Sequence, residues 1–299
     1  MRRSTRNIVI RITLPHKDLF EMIGVIDVGG GNRGAFGAGV LDYCLDKGIQ
    51  FDYCIGVSAG SANCVSYIAG QKGRNLRFYT NYNISKDAIS IRNRLKYHSM
   101  LNLDYIFRTV SNEDGEDPLN YDAFVRSGQA LRIVATDAET GRPVFFDKND
   151  VERNNYRTLC ASCNLPVVNR AYQLKGKAYY DGGLSDPIPV DRALRDGCDK
   201  VVVILTLPKN YFRDDLRDRR VARFVRAYPR IRESIIKRSA VYNRQLKHLL
   251  DLEREGKVLI VAPRVKAEMD TLGRDKDVIE KLYYEGYDNA APIEAFIKK

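Results

Sequence analysis

Apolar residues along this chain fall into short runs closed by glycine or aspartate, with amphipathic stretches between the runs. "EMIGVIDVGG" has the pattern of a buried strand running into glycines. "RGAFGAGVLDYCLDKG" then places Phe36, Val40 and Cys44 at helical spacing, with Gly48 as a stop. "IQFDYCIGV" reads as a second strand, and Ala59 to Ala69 reads as a second helix before Gly70. Strand, helix, strand, helix with short joints predicts parallel pairing in an α/β domain.

Residues 71–128 are mixed, mostly helical and polar, with a mobile turn expected at "SNEDGEDP"; this segment is a candidate cap for a site. Strand-like runs resume at "ALRIVATD", "RPVFFD", "KAYYD", "DKVVVILTLP" and "GKVLIVAP", and the residues from about Asp277 to Lys299 read as one or two surface helices. The expected organisation is an N-terminal extension over 1–22, a core over 23–192, and a part over 193–299 that completes the α/β domain and carries a basic helical segment over 209–247.

Composition narrows the class. The 299 residues are 44% hydrophobic and 29% charged, enough for one large core. No stretch reaches the roughly 20 apolar residues that span a bilayer. At the start of the chain, Arg11 interrupts the apolar run and no small-residue cleavage site follows, so a secretory signal is not expected. Six scattered cysteines suit reduced thiols in the cytoplasm, and the Cys160-x-x-Cys163 pair has no second pair or histidine cluster to make a metal site. The net charge of +11 is concentrated between Lys209 and Lys247, where thirteen Lys/Arg stand against four Asp/Glu. Within it, Val221, Phe224, Val225 and Tyr228 recur at helical spacing up to Pro229. Such a helix either lies transiently on an anionic membrane surface or packs its apolar stripe on the domain with its arginines solvated. A non-enzymatic binder of nucleic acid or an anionic surface through this Arg-rich segment is the rival function, but nucleic acid is not expected as a partner, because zinc-finger spacing, RNA-binding aromatic signatures and an evident recognition helix are missing.

The candidate chemistry starts at Gly56-Val57-Ser58-Ala59-Gly60. A Gly-x-Ser-x-Gly at a strand-to-helix junction is the setting of a nucleophile lifted by a sharp turn; otherwise the serine only caps the next helix. Three histidines are available as bases. His16 precedes the first strand, His98 lies in "RLKYHSM", and His248 sits in an amphipathic helix with Leu246, Leu249 and Leu250 on its buried side. None is placed on a loop after a late strand, where a hydrolase histidine belongs. The better base is Asp181, which ends a strand-like run and is followed by Gly182 and Gly183. A second glycine run, Gly29-Gly30-Gly31-Asn32-Arg33-Gly34, opens the first helix, where its N–H groups can hold an anion. It also satisfies G-x-G-x-x-G, but a dinucleotide site wants an acid at the end of the second strand, and Asp52 lies at its start.

Taken together and in this order, "GGGNRG", "GVSAG" and "DGGLSDPIP" resemble the patatin-like phospholipases, lipid acyl hydrolases with a Ser-Asp dyad. The resemblance implies a three-layer α/β/α fold with a mainly parallel sheet, a lipid substrate and no cofactor. It places the nucleophile on Ser58, the base on Asp181, and the oxyanion loop on Gly29, Gly30 and Gly31, with Arg33 beside it and the N–H of Ala59 assisting. Two positions depart from the bacterial pattern: Val28 stands in place of a frequent glutamate, and Asn32 in place of a bulky residue. Transfer of the acyl group to an acceptor other than water remains an alternative outcome of the same chemistry.

Overall fold

The computed structural model describes residues 21–97 and 99–298. His16, His98 and nearly all of the expected N-terminal extension therefore lie outside the described residues. The sheet contains β1 (Ile23–Asp27), β2 (Tyr53–Val57), β3 (Ala130–Asp137), β4 (Pro143–Asp147), β5 (Tyr172–Leu174), β6 (Lys177–Asp181), β7 (Lys200–Ile204) and β8 (Val258–Val261). Its order is β5-β6-β3-β2-β1-β7-β8, with β4 also on β3. The pairs β3–β2, β2–β1, β1–β7 and β7–β8 are parallel, and β4, β5 and β6 add the antiparallel pairings. The central strands are buried on both faces, which is why they read as continuous apolar runs rather than alternating ones.

Helices cover both faces. On one side lie α1 (Ala35–Asp46), α2 (Ala59–Ile68) and the helix Lys276–Asn289. On the other lie Val190–Arg195 and the long helix Pro229–Arg254. Leu246 and Leu249 of that long helix are fully buried, and each such side chain contributes about 1.5–3 kcal/mol. The result is the three-layer α/β/α arrangement with a mainly parallel sheet.

Three elements differ from the sequence reading. The helix Lys276–Asn289 is not simply on the surface: Ile279, Leu282, Tyr283 and Gly286 are buried against α1, and the Tyr283 hydroxyl donates to Asp42 at 2.7 Å. Gly39 and Gly286 permit this, because a Cβ on either would lie within about 2 Å of the facing backbone carbonyl. Segment 71–128 does form short helices, but the segment buries Phe78, Leu103, Ile106, Phe107 and Leu119 in the core. In the basic segment, a helix over Leu216–Ala222 precedes the one that starts at Pro229; Ala222 and Val225 pack inward while Phe224 is 75% exposed.

Candidate active site

Ser58 joins β2 to α2 with φ 55° and ψ −131°, a conformation that a residue with a side chain adopts only under constraint. Gly56 and Gly60 make the turn possible. A Cβ on Gly56 would lie 2.3 Å from Ser61 Cα, and one on Gly60 would lie 2.1 Å from the Asp27 carbonyl. Ser162, on the helix Arg157–Ser162, pins the turn from outside. Its hydroxyl donates its one proton to the Val134 carbonyl at 2.6 Å, so it accepts from Ser58 N–H at 3.0 Å and from the Ser61 hydroxyl at 2.9 Å. Nothing in "CASCNLP" marks this serine.

Asp181 ends β6 and is 3% exposed. Its Oδ1 accepts the Gly183 N–H at 2.8 Å, and its main chain is held by Thr136 and by Asn164. The Asp181 Oδ2 is buried without a hydrogen-bond partner. Burial raises the Asp181 pKa above 3.8, opposed in turn by the Ser58 hydroxyl, Arg238, the Gly183 N–H and Arg213. Ser58 and Asp181 line the same cavity, although no hydrogen bond of standard geometry joins them. Gly182, buried beneath, approaches the Val134 carbonyl so closely that a Cβ there would lie 2.3 Å from it.

The glycine run takes positive φ at Gly29, Gly30 and Gly31 (63°, 129° and 61°), then turns through Gly31–Gly34 into α1. Only part of it is open to a ligand. The Gly29 N–H donates to Asp27 Oδ1 at 2.9 Å, so this expected oxyanion donor is already engaged. The N–H groups of Gly30 and Ala59 make no hydrogen bond to any described residue. Gly30 lines the same cavity as Ser58, whereas Gly31 and Ala59 line the neighbouring one. Gly34 closes the turn, its carbonyl accepting from Asn63 Nδ2 at 2.9 Å.

Asp27 is the residue that sequence reasoning missed. It is fully buried and its carboxylate accepts from Gly29 N–H and from Asn63 Nδ2 at 2.8 Å, while the Tyr79 hydroxyl donates to Asn63 Oδ1 at 3.0 Å. Burial is the main cause of its pKa rising from 3.8 to about 6, with the two hydrogen bonds opposing. An acid at the end of an otherwise apolar buried run is the available sequence signal.

Two cavities meet at the loop and the elbow. One is lined by Ser58, Asp181, Gly30, Arg33, Arg213 and Arg238. The other is a mostly apolar chamber walled by Phe78, Leu103, Ile106, Phe107 and Leu159. His248 belongs to neither: it is half-exposed and meets Asp191 at 3.0 Å. Cys160 and Cys163 are both buried, and Cys163 lines the apolar chamber.

A three-layer sheet with a serine on a strained strand-to-helix turn defines a class, and comparison with known families supplies it. The patatin-like phospholipase family matches residues 28–194, more than half of the chain, and the chain belongs to that family. A domain of unknown function matches residues 228–295. Among individual proteins, the chain is similar to the uncharacterised protein YjjU of Escherichia coli K12, at 30% identity over 195 residues. That match covers 64% of this chain and spans about half, 53%, of the relative. The crystal structure of VipD from Legionella pneumophila aligns with 93% of this chain and 67% of its own, at 12% identity and a TM-score of 0.44.

Proposed function

We propose that this protein hydrolyses fatty acyl esters of phospholipids or lysophospholipids through a Ser58–Asp181 dyad. The observation that carries the reading is the union, in one cavity, of a strained, constrained serine with a buried carboxylate oxygen that lacks a partner. Asp181 Oδ2 takes the hydroxyl proton as Ser58 Oγ attacks the ester carbonyl. The N–H groups of Gly30 and Ala59 receive the charge that develops on the carbonyl oxygen. Collapse of the tetrahedral intermediate expels the alcohol, which takes the proton from Asp181 and leaves an acyl-serine. Water then attacks the acyl group, giving a proton to Asp181, and the second collapse releases the fatty acid and returns that proton to Ser58.

A carboxyl with a raised pKa is a better base than a free aspartate, which makes burial of Asp181 part of the reaction. The acyl chain occupies the apolar chamber, whose lining includes Ala59, the residue next to the nucleophile. Exposed Phe212, Leu216 and Phe224, set among Arg217, Arg219, Arg220 and Arg223, are the surface for transient contact with an anionic membrane. The test is labelling by a fluorophosphonate with the modified peptide mapped, alongside a lipid panel assayed with native protein and Ser58→Ala. Modification at Ser58 and loss of hydrolysis in the variant are expected; equal hydrolysis by both proteins would exclude Ser58 as the nucleophile. Product analysis separates free fatty acid from acyl transferred to an acceptor.

A further inference from the structure

Asp27 lines neither cavity, yet its carboxylate fastens both the glycine loop and the helix that follows Ser58. Oδ1 accepts the Gly29 N–H at 2.9 Å, where the loop begins. Oδ2 accepts from Asn63 Nδ2 at 2.8 Å, and the same amide donates to the Gly34 carbonyl at 2.9 Å, where the loop ends. Asn63 belongs to α2, whose first residue is Ala59. One carboxylate thus ties both ends of the loop that carries the Gly30 N–H to the element that carries the Ala59 N–H. Loop and turn are in direct contact, since a Cβ on Gly29 would lie 2.3 Å from the Val57 carbonyl. A Cβ on Gly37 would lie 2.3 Å from Asp27 Oδ2, so α1 admits the carboxylate only because position 37 has no side chain. Val28, the next residue, packs instead with the apolar cluster on the other face of the sheet.

This fastening needs an acceptor at both oxygens. An ionised carboxylate accepts at each, whereas a protonated carboxyl turns one of them into a donor. With the Gly29 N–H at one oxygen and Asn63 Nδ2 at the other, neither partner can receive that proton. Asn63 is kept from turning to do so: its Oδ1 accepts from the Tyr79 hydroxyl at 3.0 Å, and once turned it would face the Gly34 carbonyl. Burial nevertheless favours the neutral acid and raises its pKa to about 6. The titratable groups that face Asp27 are Cys64 and Tyr79, both kept neutral by burial, and no charged side chain among the described residues stands against it.

We propose that Asp27 is a positioning residue for ester hydrolysis, its ionised carboxylate holding the Gly30 and Ala59 N–H groups at the spacing that one oxyanion requires. The proposal rests on the hydrolase reading for its reaction, but not for the fastening of the loop. Protonation of Asp27 and the change Asp27→Asn have the same effect, because a carboxyl and an amide each offer one acceptor and one donor in the same shape.

The test uses the full chain and a soluble ester, p-nitrophenyl butyrate. At pH 7.5, kcat of Asp27→Asn is expected to lie about 10- to 100-fold below native, short of the roughly 10²–10³ that follows deletion of an oxyanion donor, with KM within about two-fold. Asp181 titrates in both proteins and drops out of the native-to-variant ratio. That ratio is expected to shrink towards one as pH falls from about 7.5 to about 5, where native Asp27 itself gains a proton. Over the same range the variant loses stability relative to native protein, so a defect of folding alone would widen the gap at low pH instead. A ratio near one at pH 7.5, or one that does not narrow on acidification, overturns the proposal. If Asp27→Asn does not fold, Tyr79→Phe decides: it frees Asn63 to turn and should lower kcat several-fold, and an unchanged kcat refutes the role. If native protein cleaves no ester, the hydrolase reading fails, and amide exchange read by mass spectrometry judges the fastening alone. Exchange over residues 28–34 about 10-fold faster in Asp27→Asn than in native protein supports it, and equal exchange refutes it.

Discussion

The strain at Ser58 can be weighed directly by replacing the residue with glycine and with alanine. Ser58 at φ 55° and ψ −131° occupies a region that is almost reserved for glycine, and holding a side chain there costs about 1–3 kcal/mol. Ser58→Ala removes the hydroxyl but keeps the Cβ and therefore the strain. Ser58→Gly removes both, and loses about 0.5–1 kcal/mol because glycine gives up more backbone freedom on folding. The difference leaves Ser58→Gly more stable than Ser58→Ala by roughly 0.5–2 kcal/mol, although both lose the hydroxyl proposed as the nucleophile. Neither change alters the acceptors at Ser162, because the contact there is made by the main-chain N–H of residue 58. Urea unfolding followed by circular dichroism on the three proteins measures the ordering. A glycine variant no more stable than the alanine variant would falsify the claim that this turn stores strain for the reaction.

Three other outcomes are expected. Asp181→Asn keeps an oxygen for the Gly183 N–H, so the fold persists while kcat for a soluble ester drops by about 10²–10⁴-fold; in native protein the acid limb of kcat/KM should lie above the ordinary aspartate range, since the Asp181 pKa is raised. At Asp27 the rise from 3.8 to about 6, at about 1.4 kcal/mol per pH unit, amounts to about 3 kcal/mol. This stability is fully present below about pH 3.8 and is lost as pH rises through about 6, so the stability of Asp27→Asn relative to native protein should improve by about 3 kcal/mol from about pH 4 to about pH 7.5 in paired urea titrations, and a flat difference would show that Asp27 does not titrate in this way. Leu103→Trp shortens the chamber and should shift the best acyl chain to fewer carbons, with about a four-fold loss of kcat/KM for each methylene excluded; an unchanged chain-length profile would place the acyl group elsewhere.

How far the residues reveal the fold depends on whether an element's partner lies nearby in sequence. The run Ala130–Asp137 is legible as β3 because its own apolar content and closing aspartate define it. The three-residue β5 is not, being a short edge strand with Gln173 exposed. The burial of Lys276–Asn289 depends on Gly286 meeting Phe36, a contact that no local pattern announces. Segment 71–128 hides its apolar role because turns of four to seven residues, two of them π-helical, generate no lasting period. At the site, Ser58 and Asp181 stand out through the glycines around them, whereas engagement of the Gly29 N–H follows from Asp27, whose carboxylate is invisible as a partner until the loop is folded. Arg238 was within reach: Ile231, Ile235 and Tyr242 are buried on the same helix, and position 238 continues their spacing. Counted only as one of thirteen basic residues, it reads as solvated.

The glycine loop is tied from beyond the span that matches the family. Thr206 donates to the Gly29 carbonyl, the Thr271 carbonyl accepts from the Asn32 N–H at 2.9 Å, and Gly273 accepts from the Asn32 side chain at 2.8 Å. A chain ended at residue 194 would therefore lose more than two outer strands. It would turn β1 from an interior strand into a bare border inviting aggregation, and would release the tethers of the glycine loop beside Ser58. A family core transplanted without its companion segment would arrive as a scaffold with its most delicate corner unfastened.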